Sequence, residues 1–213
     1  MIKIKLFVVN PIHTNCWVLI DEESKDAIII DLGGEYKKIS EYIAEQNANL
    51  KFVLCTHGHF DHILGIFEMQ IANPEIPVYL NKKDENIALN INSVMEQLGI
   101  RGIDKQDKKI KITDFIDENT NNLYIGKNKI QIIETPGHTQ GGVCFKINNY
   151  LFSGDSLFCR EIGRCDLPGS NYEMLIQSLK NKISILPEGT IVYPGHGPST
   201  TIKEENLYNM YLQ

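Results

Sequence analysis

The chain of 213 residues lacks a paired cysteine framework. Its five cysteines are an odd number, and no two of them are spaced C-x-x-C. This arrangement argues against a disulfide scaffold and against a thiolate zinc cage. Cys16, Cys55 and Cys144 lie in apolar runs, so we expect them to be buried free thiols. A chain of this length buries enough surface to fold without disulfides.

Long apolar runs and basic stripes are also missing. No apolar run approaches the roughly 20 residues of a membrane-spanning helix, and Lys3 and Lys5 interrupt the apolar N-terminus, unlike in a signal peptide. The formal net charge is −6, with scattered charges, which disfavours nucleic acid as the main partner. We therefore expect a cytoplasmic protein whose partner is neither nucleic acid nor a membrane. The sequence leaves the oligomeric state open.

In both halves of the chain, apolar patterns predict groups of consecutive strands followed by helices. The predicted strands are 2–6, 16–21, 27–31, 51–55, 78–80, 129–134, 142–147, 150–153 and 190–193. The predicted helices are 36–46, 62–72, 84–98, 170–186 with Ser170 as N-cap, and 200–213. This order favours a single domain, 1–213, with two similar halves at 1–125 and 126–213. Two packed sheets with helices outside fit the order better than a doubly wound sheet.

Three of the six histidines lie within six residues, directly after a short apolar strand. They are His57, His59 and His62, accompanied by Asp61. Imidazole and carboxylate together suit zinc or iron better than calcium or magnesium. In an extended loop, His57 and His59 can converge on one ion, while Asp61 and His62 turn toward a second.

One such window cannot supply two complete ligand sets, since a catalytic zinc site needs about three protein ligands and an open position. Three further segments each run from a strand into a glycine turn with one ligand-type residue: His138, Asp155 and His196. Each residue alone would be an ordinary turn residue. The strand-end position that they share with the histidine cluster indicates a metal centre. His13 lacks this context and is interpreted as a loop residue.

The ordered pattern resembles the signature of the metallo-β-lactamase superfamily over nearly the whole chain. It consists of His57-x-His59-x-Asp61-His62, then His138, Asp155 and His196. Residues 154–158 and 163–169 are similar to segments of the glyoxalase II-like (hydroxyacylglutathione hydrolase-like) branch. The resemblance implies an α+β fold, the αββα four-layer sandwich, in which two mixed sheets pack together between outer helices. It places the metals at one edge of the paired sheets.

The same resemblance implies a ligand set for two divalent metal ions, with zinc expected and iron or manganese as alternatives. One ion would be held by His57, His59 and His138, the other by Asp61, His62 and His196, with Asp155 bridging them. True β-lactamases usually lack such a bridging carboxylate, which disfavours penicillin-type substrates. The chain ends 17 residues after His196, whereas typical glyoxalase II has a further helical domain. A short form of the family is therefore expected.

The reaction predicted on this basis is hydrolysis of a thioester, such as S-lactoylglutathione or a related hydroxyacyl thioester. A hydroxide shared by the two metals would attack the acyl carbon, with Asp61 and Asp155 as the catalytic carboxylates. Arg160 and Arg164 either meet a substrate carboxylate or brace their loop through ion pairs. We expect residues 100–126 to border the substrate pocket.

Two other functions remain open at this point. A persulfide dioxygenase of the same fold would use a single iron, held by His57, His138 and Asp155 in the facial-triad pattern. Asp61, His62 and His196 would then have no metal to bind. A non-catalytic binding protein fits less well, because every ligand position of the signature is filled.

Overall fold

The computed structural model describes residues 1–91 and 110–213, in which a six-stranded sheet is formed by the first part of the chain. Its strands are β1 (Ile2–Val9), β2 (Thr14–Asp21), β3 (Asp26–Ile30), β4 (Asn49–Leu54), β5 (Val78–Leu80) and β6 (Asp114–Phe115). They lie in chain order across the sheet. The first three are antiparallel, and β3 to β6 are parallel.

A second, five-stranded sheet follows. Its strands are β9 (Gln131–Glu134), β10 (Val143–Ile147), β11 (Tyr150–Gly154), β14 (Ile191–Pro194) and β15 (Thr200–Thr201). Their order across the sheet is β15-β14-β11-β10-β9. Two short hairpins accompany it, β7 (Tyr124–Ile125) with β8 (Asn128–Lys129) and β12 (Leu157–Phe158) with β13 (Glu161–Ile162). Only β11 and β14 pair in parallel, so this sheet is mixed like the first.

Helices cover the outer faces of both sheets. In chain order they are α1 (Tyr36–Glu45), α2 (Phe60–Ile63), α3 (Ile66–Ala72), α4 (Glu85–Leu89), α5 (Tyr172–Ser178) and α6 (Ile202–Tyr208). A 3₁₀ turn, Lys82–Asp84, precedes α4, and a π-helical turn, Leu179–Ile183, follows α5. The layers confirm the α+β sandwich expected from the sequence. Within the described ranges, no helix is long and apolar enough to cross a membrane.

The alternation of side chains along the strands explains the layering. In β2, Trp17 and Leu19 point between the two sheets, where they belong to one apolar cluster with Phe145 and Phe152. Intervening residues of β2 such as Val18 belong to a second cluster, under α1 and α3. A third cluster lies between the second sheet and α5. Both faces of the central strands are thus buried, which accounts for their continuous apolar runs.

Several helix boundaries differ from those predicted. The single helix expected over 62–72 is interrupted at Gly65, where an added Cβ would lie only 2.8 Å from the backbone nitrogen of Gly34. Ser170 is not the N-cap of α5: Asn171 is, since its side chain accepts the N–H of Met174 at 2.9 Å.

The other differences concern helix ends. The helix predicted over 170–186 is α-helical only to Ser178. The last helix begins after its Thr201 N-cap and ends at Tyr208, short of the predicted 200–213. Of the helix predicted over 84–98, the part from residue 92 onward lies outside the described residues, as does 100–109 of the expected pocket border.

Candidate metal centre

Four strand ends bring the predicted ligands to one place. His57 and His59 follow β4, and Asp61 and His62 lie in α2 immediately after them. On the second sheet, His138, Asp155 and His196 follow β9, β11 and β14. These three strands run in the same direction, because β9 and β11 are both antiparallel to β10 and β14 is parallel to β11. Their carboxyl ends therefore meet at the same edge of the sheet.

The seven residues form overlapping groups of potential metal ligands, with ligand atoms within 4.8 Å of one another. We call His57, His59 and His138 the first ligand group and Asp61, His62 and His196 the second ligand group. In the first, Nδ1 of His59 lies 3.0 Å from Nε2 of His138. In the second, Oδ2 of Asp61 lies 3.2 Å from Nε2 of His62 and 3.3 Å from Nε2 of His196. Each group offers three atoms to a common point.

Asp155 lies between the two groups. Its Oδ2 is 3.6 Å from Nε2 of His138, a member of the first group. The same oxygen is 3.7 Å from Nε2 of His196, and Oδ1 is 3.3 Å from Nε2 of His62, both members of the second group. One carboxylate thus contacts both ligand groups.

Within the described residues, several buried polar atoms of these side chains have no hydrogen-bonding partner. Nε2 of His57 is buried and makes no hydrogen bond. Nε2 of His62 and Oδ1 of Asp155 are also buried without a hydrogen bond, since their contact at 3.3 Å lacks hydrogen-bond alignment. Buried polar atoms in proteins are normally hydrogen-bonded, so three orphans in one cluster require an explanation. All three belong to the predicted ligand set, and a set of imidazoles and carboxylates suits a divalent transition metal. The residues present therefore fit a bound metal.

Surrounding contacts orient the imidazole rings. Nδ1 of His62 donates to Oδ2 of Asp31 at 2.9 Å, and Nδ1 of His138 donates to the carbonyl oxygen of Arg164 at 2.8 Å. The Thr56 hydroxyl donates to Oδ2 of Asp31 at 2.7 Å, which leaves its oxygen to accept Nδ1–H of His57 at 3.1 Å. With the proton on Nδ1, the neutral rings of His57 and His138 direct the lone pair of Nε2 into the shared space. His62 presents its Nε2 to the same space.

The electrostatics of the two groups differ. Burial, followed by the neighbouring histidines, holds the pKa of His57 well below its usual value and lowers that of His59 to about 4, so both rings are neutral at pH 7. For His62, burial lowers the pKa, but Asp61 and Asp155, together with further carboxylate contacts, outweigh it and raise the pKa well above normal. The second group thus favours positive charge at its centre.

The two carboxylates show the converse effect. Burial alone would raise the pKa of Asp61 and of Asp155, but the neighbouring histidines, His62 foremost among them, together outweigh it and lower both. For His196, burial lowers the pKa, while the contacts with Asp61 and Asp155 outweigh it and raise the pKa. Both carboxylates are therefore ionised and attract cations.

Sequence reasoning missed several residues that support the ligands. Asp31, in the left-handed conformation directly after β3, is buried and accepts hydrogen bonds from both Thr56 and His62. Thr14 donates its hydroxyl to Oδ2 of Asp61 at 2.7 Å. The sequence signal that could have identified this turn is the glycine pair Gly33-Gly34, shortly after Asp31. A Cβ at Gly33 would collide with the backbone oxygen of Asp61, so the turn packs directly against α2.

The two predicted arginines contact protein carboxylates. Nη2 of Arg160 donates to Oε2 of Glu204 at 3.2 Å, and the guanidinium carbon lies 4.6 Å from the ring centre of Tyr208 in α6. Arg164 makes a two-point pair with Asp166 at 2.7 and 2.8 Å. These contacts brace the loop after Asp155, while a role in substrate binding stays a prediction. His13 lies exposed in the β1–β2 loop, outside both ligand groups.

A sequence model of the Metallo-beta-lactamase superfamily matches residues 9–196, a range that includes all seven residues of the centre. The chain belongs to the metallo-β-lactamase superfamily. It is 37% identical to a probable metallo-hydrolase, YqgX, of Bacillus subtilis, over 96% of this chain and 94% of the relative. It is 32% identical to hydroxyacylglutathione hydrolase GloC of Haemophilus influenzae, over 99% of this chain and 98% of the relative. These relatives support hydrolase activity.

Two solved structures resemble the fold closely. A crystal structure of BLEG-1 B3 metallo-beta-lactamase superposes with a TM-score of 0.87 at 36% identity and covers 99% of this chain and 100% of that chain. A crystal structure of TTHA1623 in a di-iron-bound form gives a TM-score of 0.85 at 30% identity, over 98% and 100%. The superfamily of this chain binds divalent metals, and the second structure holds two irons at its own site.

Proposed function

We propose that the protein is a binuclear metallo-hydrolase that cleaves a thioester, with S-lactoylglutathione or a related hydroxyacyl thioester as substrate. The observation that carries the proposal is the position of Asp155, within 3.7 Å of members of both ligand groups. A carboxylate shared in this way is typical of a site for two ions. The hydroxyacylglutathione hydrolase among the relatives, similar over nearly its whole length, supports the substrate class.

In this proposal the first ligand group would hold one divalent ion, the second ligand group would hold another, and Asp155 would be shared between them. Zinc is the proposed metal, with iron and manganese as alternatives. Two bound ions would activate a water molecule near neutral pH and polarise the carbonyl oxygen of the substrate. A thiolate is a good leaving group, so the chain needs no strong general acid. The cytoplasm remains the expected location.

The chain's own residues would orient the nucleophile and the ligands. Oδ2 of Asp61 faces His62 and His196 and accepts a hydrogen bond from the Thr14 hydroxyl, which fixes the carboxylate in place. We assign Asp61 the role of orienting the attacking water. Asp31 and the carbonyl oxygen of Arg164 keep two imidazole rings aligned. Such preorganisation reduces the reorganisation needed during reaction.

A persulfide dioxygenase with one iron is less well supported. It would use only His57, His138 and Asp155, yet the second ligand group is as complete as the first, and its ligand atoms lie within 4.8 Å of one another. Metal content distinguishes the two hypotheses. Two ions per chain would support the hydrolase, and a single iron with oxygen uptake on glutathione persulfide would contradict it.

The direct test is to measure hydrolysis of S-lactoylglutathione and of a chromogenic cephalosporin by the purified protein. We expect thioester turnover to exceed β-lactam turnover, and Asp155→Ala and His59→Ala to lower thioester kcat at least about 100-fold. His13→Ala is the matched control, because His13 is the histidine outside both ligand groups, and it should retain wild-type activity. Wild-type thioester turnover by Asp155→Ala, or a preference for the β-lactam, would contradict the proposal.

A further inference from the structure

A buried carboxylate outside the ligand set joins the two loops that carry the first ligand group. Asp84 ends the 3₁₀ turn before α4 and is fully buried. Its Oδ2 accepts the backbone N–H of Gly58 at 2.9 Å and the hydroxyl of Thr139 at 2.7 Å. Its Oδ1 accepts the backbone N–H of Gly141 at 2.7 Å. Three donors therefore converge on one side chain.

These donors lie directly beside the ligands. Gly58 separates His57 from His59 on the loop after β4 of the first sheet, and Thr139 follows His138 on the loop after β9 of the second. The two loops come from different sheets and are distant in the sequence. Asp84 is thus a link between the two parts of the fold that supply the first ligand group.

The loops approach Asp84 too closely for any residue but glycine at two positions. A Cβ added at Gly58 would lie 2.8 Å from the backbone oxygen of Asp84, and one added at Gly141 would lie 2.8 Å from its Cγ. Neither glycine has a positive φ, so close packing, and not backbone conformation, calls for glycine here. Close packing at Gly58 and Gly141, together with the hydrogen bonds, thus holds both loops against Asp84.

A different side chain holds the loop of His196. Nδ2 of Asn15 donates to the carbonyl oxygens of Pro194 at 3.0 Å and Gly197 at 2.9 Å, on either side of this histidine. Asn15 is itself buried at the start of β2. Its contacts concern the second ligand group, whereas the hydrogen bonds of Asp84 concern the first.

We propose that Asp84 is a positioning residue for the first ligand group alone, and that Asn15 has the corresponding role for His196 in the second. The inference rests on the proposed binuclear function. It predicts that each side chain controls the affinity of one ion without affecting the other. The two buried residues form a natural pair of reciprocal variants.

Asp84→Asn keeps the size of the side chain but places an NH₂ group against N–H or O–H donors. We expect the zinc affinity of the first ligand group to fall by about 10-fold, the lower end of the loss seen when a hydrogen-bonding partner of a metal ligand is removed. Asp84 holds the loops and not the imidazole rings, and the second ligand group should keep its affinity. Asn15→Ala should produce the reverse pattern. Because the two variants differ in which ion is lost, general destabilisation cannot explain both.

The measurement is zinc binding to the metal-depleted full chain, by calorimetric titration and by anomalous scattering from crystals soaked with about one equivalent of zinc. Titration gives the two affinities, and the anomalous peaks show which ligand group is filled. In Asp84→Asn we expect zinc among Asp61, His62 and His196, and in Asn15→Ala among His57, His59 and His138. Equal loss at both positions in either variant, or unchanged binding by Asp84→Asn, would overturn the inference.

Thr139→Val provides the same test if Asp84→Asn fails to fold by circular dichroism. It removes one of the three hydrogen bonds at nearly constant volume and should weaken the first ion alone, by less than Asp84→Asn. Unchanged zinc affinity in this variant would overturn the inference. Zinc occupancy is independent of substrate, so a protein that binds two ions but hydrolyses no thioester would contradict the proposed function and leave this inference standing.

Discussion

At the scale of single residues, the predicted ligands and the residues that support them differ in how they appear in the sequence. The ligands combine a metal-binding side chain with a local context, a strand running into a glycine turn, which can be recognised without the fold. Asp31 and Asp84 have an unremarkable local context. Their partners lie 25 to 57 residues away, so only the folded chain shows that they contact the metal centre. Sequence reasoning therefore selected the seven predicted ligands, which the fold brings together, and missed the residues that contact them.

Asp31 should contribute strongly to stability even without metal. Asp31→Asn keeps the volume and tolerates the left-handed backbone. Its NH₂ group would face either the backbone N–H of Thr56, or the Thr56 hydroxyl together with Nδ1–H of His62. Loss of one partner of a buried charged contact costs on the order of 3 kcal/mol. Urea unfolding of the chelator-treated variant should show this loss. Asp166→Ala, which breaks an exposed pair with Arg164, should change stability by less than about 1 kcal/mol, and equal losses would contradict the expectation.

At the scale of elements, strands were predicted better than helix ends. Buried strands such as β2 produce continuous apolar runs, since both faces pack against apolar layers. Helix ends depend on single contacts that the pattern does not reveal. The helix predicted over 62–72 is interrupted at Gly65 because its N–H donates to the carbonyl oxygen of Leu32 at 2.9 Å and not to a carbonyl of α2. This contact joins residues distant in sequence. At the start of α5 two adjacent residues have capping side chains, and the pattern cannot choose between them.

The cap of α5 gives a prediction that concerns the site as well. Asn171 accepts the N–H of Met174, and its own N–H donates to the carbonyl oxygen of Gly137, next to His138. Asn171→Ala should lower the free energy of unfolding by about 1 kcal/mol, the usual effect of removing a cap. Ser170→Ala is the matched control, because its hydroxyl contacts only the Leu167 carbonyl within the described residues. Paired urea titrations measure both, and a larger loss for Ser170→Ala would restore the sequence-based assignment.

At the scale of the whole molecule, the candidate metal centre is divided between the two sheets. The first sheet and α2 supply four of the seven residues, and the ends of β9, β11 and β14 supply the other three. The order of these residues along the chain made the family recognisable, and with it the sandwich fold. How the sheets approach each other could not be read from the sequence, because it depends on packing between Trp17, Phe145 and Phe152. Because the seven residues come from both sheets, metal binding requires that both sheets are folded and packed together.

The three apolar clusters contain none of the seven ligand residues, so the metal-free protein should still unfold in one cooperative transition. Zinc would then stabilise the native state by linkage. At about 100 times its dissociation constant, each ion adds about 2.7 kcal/mol. For a domain of this size, two ions would raise the Tm by roughly 10–20 °C.

Differential scanning calorimetry of the chelator-treated protein, before and after zinc is added, measures both effects. Calcium is the control ion, because a centre with five imidazoles and two carboxylates disfavours a hard cation, and it should leave the Tm unchanged. Asp155→Asn should show a smaller zinc-induced rise in Tm than the wild type, since it replaces the carboxylate that faces both ligand groups with a neutral amide. A chelated protein without a cooperative transition would instead mean that the sheets depend on the metals to assemble, contrary to their continuous apolar packing.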